Sequence, residues 1–163
     1  MAEKMKKLIL TMVALLLFAT TICAADTKTS AKGVLPMKLN IQIDNGKSKH
    51  ELTASLYDNS SARALLELVQ KEPVTIDMHD FSNFEKVGDL PATLPRNDTP
   101  TDTDAGDLIL YLGKRFVIYY DKNSWNFTPL GKVDGVTKAE LRAILGKGDV
   151  TATLSILTGD KIK

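Results

Sequence analysis

The chain has 163 residues and a nearly balanced charge, with 21 basic and 20 acidic side chains, and it contains one cysteine. A balanced charge argues against nucleic acid as a partner, because nucleic-acid binding depends on a basic surface. A lone cysteine cannot form an internal disulfide or a zinc ribbon. The composition therefore favours a globular domain without nucleic-acid or cysteine-ligated metal chemistry.

The first 25 residues have the layout of a secretory signal peptide. The opening residues are basic, and an uncharged apolar run, LILTMVALLLFA, precedes small residues around Cys23. The run is shorter than the roughly 20 residues that span a bilayer. We predict cleavage after Ala25, with Ala24 as the near alternative. Lipidation of Cys23 is the less favoured alternative, because Ile22 stands where lipidation requires a small residue.

Cleavage there removes three basic residues and one acidic residue, which leaves 18 basic and 19 acidic side chains. Residues 26–36 are mostly small and polar and are interpreted as a tether. Residues 37–158 are enough for one domain with its own core. We expect an exported protein, periplasmic or extracellular, that has no stable membrane insertion after cleavage.

Two segments at the start of this domain show clear periodicity. From Met37 to Leu56, apolar residues alternate on both sides of Asn45-Gly46, a pair that tight hairpin turns prefer. The following residues carry an apolar stripe at helical spacing. We predict a β-hairpin and then a short helix that stops before Pro73 and begins at a cap residue, Asp58, Asn59 or Ser60.

The second half of the domain adds further strands and one helix. VTIDMHDF predicts a strand, and DLILYLGKRFVIYYD predicts a hairpin with Gly113-Lys114 at its turn. Thr137 and Glu140 form a capping box that begins a second short helix, and Gly146 suits its end. DVTATLSIL alternates as a last strand. Several antiparallel strands with two short helices predict a mainly β domain, a barrel or a sandwich.

Residues 84–107, between these strands, show neither the alternation of a strand nor the apolar stripe of a helix. We interpret them as a long loop, and loops of this length are usually functional or disordered. Four carboxylates in the loop do not match a calcium-binding loop, because Gly106 falls at the wrong position relative to Asp102. We therefore predict a solvated acidic loop and no metal site, with these acidic residues: Asp98, Asp102, Asp104 and Asp107.

The order of the elements and four short motifs resemble the bacterial cyclophilin-like domains. The motifs are LYDNSSARALLELV, FEKVGDLP, AGDLILYL and PLGKVDG, and the resemblance spans residues 37–157. It implies a closed antiparallel β-barrel of about eight strands, with one short helix capping each open end.

The same resemblance raises the question of catalysis. Classical cyclophilins are peptidyl-prolyl isomerases, in which an arginine beside an apolar pocket polarises the proline nitrogen. Their glutamine-glycine-glycine-aspartate and tryptophan-leucine-aspartate-glycine stretches are not present in this chain, which has SWNFTPLGKVDG before its second helix. Of the four arginines, Arg63 and Arg142 lie on predicted helices and Arg115 in the second hairpin. Arg96, in the long loop, is the one arginine near the groove that the resemblance implies, although it does not align with the family's catalytic arginine. It is therefore the candidate catalytic residue, and we expect any isomerase activity to be weak.

Five aromatic residues are candidates for lining a ligand groove: Phe81, Phe84, Phe116, Trp125 and Phe127. Ligand pockets usually combine aromatic side chains with a few polar groups. The alternative is that the phenylalanines belong to the core, whereas Trp125 stands in a polar stretch, DKNSWNF. The two histidines, His50 and His79, lack the spacing of metal or nucleophile sites and are interpreted as structural or surface residues.

Two functions remain open. The first is an exported domain that binds a small molecule or a peptide segment in a groove walled by residues 81–107 and 123–130, without a cofactor. The second is a prolyl isomerase that serves extracytoplasmic protein folding, with Arg96 as the electrophile and Phe116 or Trp125 in the pocket. An isomerase requires a hydrogen-bond donor that faces the groove, whereas a binding domain does not.

Overall fold

The computed structural model describes residues 37–157, which form nine β-strands and two α-helices. The helices are α1 (Ser60–Lys71) and α2 (Lys138–Leu145). The predicted signal peptide and tether lie outside the described residues. Neither helix has the length and apolar character required to cross a membrane. The strands are β1 (Lys38–Asp44), β2 (Lys49–Leu56), β3 (Val74–Phe81), β4 (Glu85–Asp89), β5 (Thr99–Thr103), β6 (Asp107–Tyr111), β7 (Arg115–Tyr119), β8 (Asn123–Val133) and β9 (Val150–Ile156).

Eight of the strands form a closed ring of antiparallel pairs. The order around the ring is β2, β1, β9, β3, β4, β7, β6 and β8, and β8 pairs again with β2. Strand β5 lies outside the ring and pairs with the first half of β8. The predicted mainly β fold, with about eight antiparallel strands and two short helices, is confirmed.

The interior of the ring holds the main apolar core. Alternate residues of the ring strands are buried there, and both helices add buried residues from one face. Each fully buried aliphatic or aromatic side chain contributes about 1.5–3 kcal/mol relative to its exposure to water. Among the largest of these buried residues are Leu39, Ile41, Ile43, Leu65, Ile76, Met78, Leu108 and Phe116.

The helix caps follow the sequence signals. The Asn59 side chain accepts a hydrogen bond from the Ala62 backbone N–H at 2.9 Å, so that Asn59 is the cap among the three candidates. Thr137 and Glu140 form the predicted capping box at the start of α2. Gly146 follows α2 with a φ of +62°, a conformation that glycine adopts at little cost.

The prediction of one loop over residues 84–107 is wrong, because β4 and β5 lie within it. Strand β4 reads EKVGD and places a lysine and a glycine at its inward positions, which hides the apolar alternation. Strand β5 reads TPTDT and buries only Thr103, since it lies at the edge of the sheet. The polar stretch around Trp125, for which no strand was predicted from the sequence, likewise contains the beginning of β8.

A buried lysine joins β4 to the connection between α2 and β9. The Lys86 side chain is fully buried, and its Nζ donates to Asp80 Oδ1 at 2.7 Å and to the backbone carbonyls of Gly146 and Gly148 at 3.3 and 2.5 Å. The Tyr120 hydroxyl donates to the same Asp80 oxygen at 2.5 Å. Burial alone would raise the pKa of Asp80, but the bonds from Lys86 and Tyr120 hold it below its usual value. All three ammonium protons of Lys86 therefore have partners.

We expect Gly88→Ala to lower the free energy of unfolding by about 3 kcal/mol, because the inward side of β4 has no space for a methyl group. A Cβ at Gly88 would lie 2.4 Å from the Asp77 carbonyl oxygen and 2.5 Å from Cγ2 of Ile76. The carbonyl belongs to the backbone of β3, so it cannot rotate away. Urea denaturation of the two proteins measures the difference, and equal midpoints would contradict the close approach of β3 and β4.

Candidate functional site

A second apolar cluster covers the outer face of the ring. Strands β4, β6, β7 and β8 place every other residue on this face, and its buried members are Val87, Ile109, Val117, Tyr119 and Phe127. Their neighbours in sequence, such as Phe116 and Ile118, belong to the interior core. Strands β6 and β7 are therefore apolar on both faces, which is unusual for a sheet face that water reaches.

A cavity of about 310 Å³ opens on this face and is called here the outer-face cavity. Residues of β3, β4, β6, β7 and β8 and of the turn between β3 and β4 surround it. This volume lies at the lower end of the range for small-molecule sites. The lining residues are His79, Phe81, Phe84, Glu85, Val87, Tyr111, Arg115, Val117, Tyr119, Asn123, Trp125 and Phe127.

Aromatic rings in mutual contact form the wall of the cavity. The Phe84 ring lies parallel to the Tyr119 ring with 6.2 Å between centroids, and it meets the Phe81 ring edge-on at 5.7 Å. Phe127 continues the series, at 5.7 Å from Tyr119 and 6.1 Å from Tyr111. Such pairs stabilise one another beyond their apolar burial by about 0.5–1.5 kcal/mol. The wall is therefore a connected aromatic surface.

Two large side chains at the rim remain exposed. Trp125 is 66% exposed and Phe81 is 50% exposed, and both line the outer-face cavity. Single exposed apolar residues are common on protein surfaces, but two beside an aromatic cavity enlarge one contiguous apolar patch. The apolar surface available to a ligand thus extends beyond the cavity itself.

The turn between β3 and β4 holds two of these rings in place. Ser82 and Asn83 both have positive φ, +50° and +58°, and the Phe84 backbone N–H donates to the Phe81 carbonyl at 3.2 Å. Two consecutive residues with positive φ make the type of turn that matches the twist of a hairpin, although residues other than glycine adopt it at a cost. The turn places Phe81 and Phe84 side by side at one end of the cavity.

Glu85 is a half-buried carboxylate within the aromatic wall. It pairs with Phe81 of β3 on one side and with Tyr119 of β7 on the other. Burial raises the pKa of the Glu85 carboxyl above its ordinary value, although a hydrogen bond with Tyr119 and the nearby charge of His79 act in the opposite direction. Burial and the bond to Glu85 also raise the pKa of the Tyr119 hydroxyl, which accepts a bond from Asn123 Nδ2 at 3.2 Å.

The cavity has a basic residue at its other end. Arg115 pairs with Asp89 across the same β4–β7 ladder that pairs Tyr119 with Glu85, four residues further along. Four residues of antiparallel strand correspond to about 13 Å. The Arg115 side chain is 54% exposed, and its Nε lies 3.6 Å from Asp89 Oδ1. The outer-face cavity is therefore acidic at one end, basic at the other and apolar between them.

Four of the five predicted aromatic residues line this cavity, namely Phe81, Phe84, Trp125 and Phe127. Phe116 does not, because the alternation along β7 turns it into the ring interior, where none of its surface is exposed. Three lining residues of β7 were not identified from the sequence, although the same alternation indicates them. They are the odd-numbered residues Arg115, Val117 and Tyr119, which all face the cavity.

Arg96 does not line the outer-face cavity. It lies in the segment before β5, where its Nε donates to Asp98 Oδ2 at 2.9 Å and its Nη2 contacts the same carboxylate oxygen. The hydrogen bond and charge of Asp98 raise the pKa of Arg96. The Arg96 stem also packs near Gly113. The contacts of Arg96 are those of a surface ion pair beside the second hairpin.

The acidic residues of the segment that was predicted to be a loop accept hydrogen bonds from other groups of the protein. Asp102 accepts from Ser124 Oγ at 2.6 Å, and Asp107 accepts from Lys132 Nζ at 2.7 Å. Within residues 37–157, no three histidine, aspartate, glutamate or cysteine side chains are arranged to hold a metal ion. Asp104 contributes to the turn before β6 by accepting a bond from the Ala105 backbone N–H at 2.8 Å.

Comparison with known proteins agrees with this geometry. A model of a protein family described as the cyclophilin-like family matches residues 41–155. The chain belongs to the cyclophilin-like family. The solution structure of a hypothetical protein from Archaeoglobus fulgidus has a similar fold, with a TM-score of 0.54 and 13% identity over 75% of this chain and 95% of that one. No curated protein has a significantly similar sequence.

We expect Glu85→Gln to raise the melting temperature at about pH 8, because the folded protein keeps a carboxylate partly away from water. The raised pKa means that ionisation of Glu85 disfavours folding. This cost is absent below the ordinary glutamate pKa of about 4.3 and grows as the pH rises through the folded-state pKa. The gain from Glu85→Gln should therefore shrink as the pH falls towards about 3.

Thermal unfolding at several pH values measures this effect. Glu51→Gln is the matched control, since Glu51 is an exposed carboxylate on β2 that does not line the cavity. The same gain in both variants at every pH would show that the environment of Glu85 is not special.

Proposed function

We propose that this protein of the cyclophilin-like family is an exported binding domain whose outer-face cavity holds a small molecule or a peptide segment without changing it chemically. The observation that supports the proposal most directly is the connected aromatic wall, open to solvent at Phe81 and Trp125. Aromatic anchors in such positions supply most of the binding energy in many protein sites. The leader in residues 1–25 supports the proposed export, because its basic and apolar regions have signal-peptide order.

Polar groups at the two ends of the cavity support binding rather than simple apolar packing. Glu85 lies at one end and Arg115 at the other, with Val87 and Val117 between them. Pockets for organic ligands typically combine an apolar lining with a few polar groups that fix the orientation of the ligand. The cavity has this composition.

We expect a bound compound to accompany the protein when the mature chain is purified from its native envelope and analysed by mass spectrometry. Trp125→Ala should reduce the recovered amount by about tenfold, because it removes an aromatic anchor at the rim. Tyr57→Ala is the matched control, since Tyr57 is an exposed aromatic residue that does not line the cavity. Equal recovery from Trp125→Ala and the unchanged chain would contradict binding in the outer-face cavity.

Prolyl isomerisation is the second candidate, and Arg115 is the observation that favours it. Arg115 lines the aromatic cavity, as the donor of an isomerase must, whereas Arg96 does not. An electrophile is effective when it is held in place in a site that excludes water. The Arg115 side chain is 54% exposed and lies beside Asp89, so these conditions are poorly met.

We therefore expect isomerase activity on short proline peptides to be absent or very weak compared with a classical cyclophilin. An NMR exchange assay on the mature domain measures it, with Arg115→Ala as the test variant and Arg96→Ala as the matched control outside the cavity. Robust turnover that disappears in Arg115→Ala and persists in Arg96→Ala would establish the isomerase in place of the binding domain.

A further inference from the structure

Glu85 is a half-buried carboxylate that lines the outer-face cavity without an ion pair among the described residues. The neighbouring acidic residues Asp80 and Asp89 each pair with a lysine or an arginine. Among the ion pairs of residues 37–157, none includes Glu85. A half-buried carboxylate without a cation loses hydration that its one phenol partner, Tyr119, replaces only in part. A cationic group from outside would restore the missing interaction.

The rings around Glu85 suit the same cation. Phe81 and Tyr119 pair with Glu85 from the two neighbouring strands, and Phe84 precedes it in the chain. The faces of aromatic rings attract cations, and the attraction grows when the site is shielded from water. A carboxylate surrounded by aromatic rings is the arrangement in which proteins bind ammonium groups, including methylated ones.

The other titratable groups of the cavity do not take this role from a ligand. Arg115 lies about 13 Å away along the ladder and contacts Asp89 instead. Tyr111 and Tyr119 carry hydroxyl groups and no positive charge. His79 also lines the cavity, but no ion pair joins it to Glu85 among residues 37–157.

We infer that the ligand of the outer-face cavity carries an ammonium group, primary or methylated, that binds Glu85 beside the rings of Phe81, Phe84 and Tyr119. The inference rests on the proposed binding function and adds the chemical class of the ligand. The apolar body of the ligand lies along Val87 and Val117 and points towards Arg115. The cavity volume of about 310 Å³ admits a compact organic amine or a lysine side chain of a peptide.

Three probes of similar shape test the charge requirement: phenethylamine, phenethyl alcohol and phenylacetate. The chain has one tryptophan, so the indole N–H signal of Trp125 in an NMR spectrum reports binding at the cavity rim without ambiguity. At about pH 8 we expect the amine to bind about tenfold more tightly than the alcohol, and phenylacetate to bind least well at the Glu85 end. A peptide with blocked ends and one lysine, added as a fourth probe, distinguishes a free amine from a protein lysine as the source of the ammonium group.

The preference for the amine should disappear in Glu85→Gln and persist in Glu51→Gln. Equal binding of amine and alcohol to the unchanged chain, or a preference that survives in Glu85→Gln, would overturn the inference. If both probes then lose their binding in Phe81→Ala, which leaves the Trp125 signal in place, the cavity remains a binding site and only its cation preference is refuted. Failure of every probe to bind would also refute the ammonium ligand, and the co-purification experiment would then decide the proposed function separately.

Discussion

The alternation of side chains along the β4–β7 ladder is the constraint on which the rest of this structure depends. Each residue of a strand faces the opposite side from its neighbours, so a ladder buried on both sides needs two sets of residues that tolerate burial. On β7, Phe116 and Ile118 supply the interior set, while Val117 and Tyr119 supply the outer one. A shift of one residue would exchange these sets and place Arg115 inside the core.

Adjacent residues of β4 show two opposite solutions for a charge in this ladder. Lys86 points inward and is fully buried, and every one of its ammonium protons has a partner, including Asp80. Glu85 points outward into the aromatic wall beside Tyr119 and forms no ion pair within residues 37–157. Removing one partner of a buried pair such as Lys86–Asp80 costs about 3–5 kcal/mol, because the other charge is then left buried and unpaired, so the fold requires both residues. The second arrangement reduces stability, and a binding role gives it a physical reason.

Much of the fold followed from local signals in the sequence. The first hairpin, both helices, their caps and strands β3, β6, β7 and β9 were predictable, because their apolar periodicity and turn residues agree with the final structure. Strands β4 and β5 were not. Lys86 occupies an inward position of β4 because the connection between α2 and β9 supplies its polar partners. Gly88 occupies another because β3 approaches β4 too closely there for a side chain. No local pattern reveals such partners.

The site was predictable only in its aromatic part. Phe81, Phe84, Trp125 and Phe127 stood out by type, and they line one cavity. Separating Phe116 from them requires knowing which face of β7 is inward, and this depends on ring closure through β2 and β8. The polar ends depend on the β4–β7 register, which pairs residues about 30 positions apart in the chain. Glu85 and Arg115 are common surface residue types, so the sequence alone gave no reason to assign them to a site.

The ionisation of Glu85 is the quantity that tests this account most directly. NMR titration of the Glu85 side-chain carboxyl carbon, assigned by its loss in Glu85→Gln, gives the pKa in the free protein and in the presence of saturating phenethylamine. The account predicts a pKa above the ordinary value of about 4.3 in the free protein and a clear decrease when the amine is bound. A pKa at or below the ordinary value that does not change with the amine would contradict it.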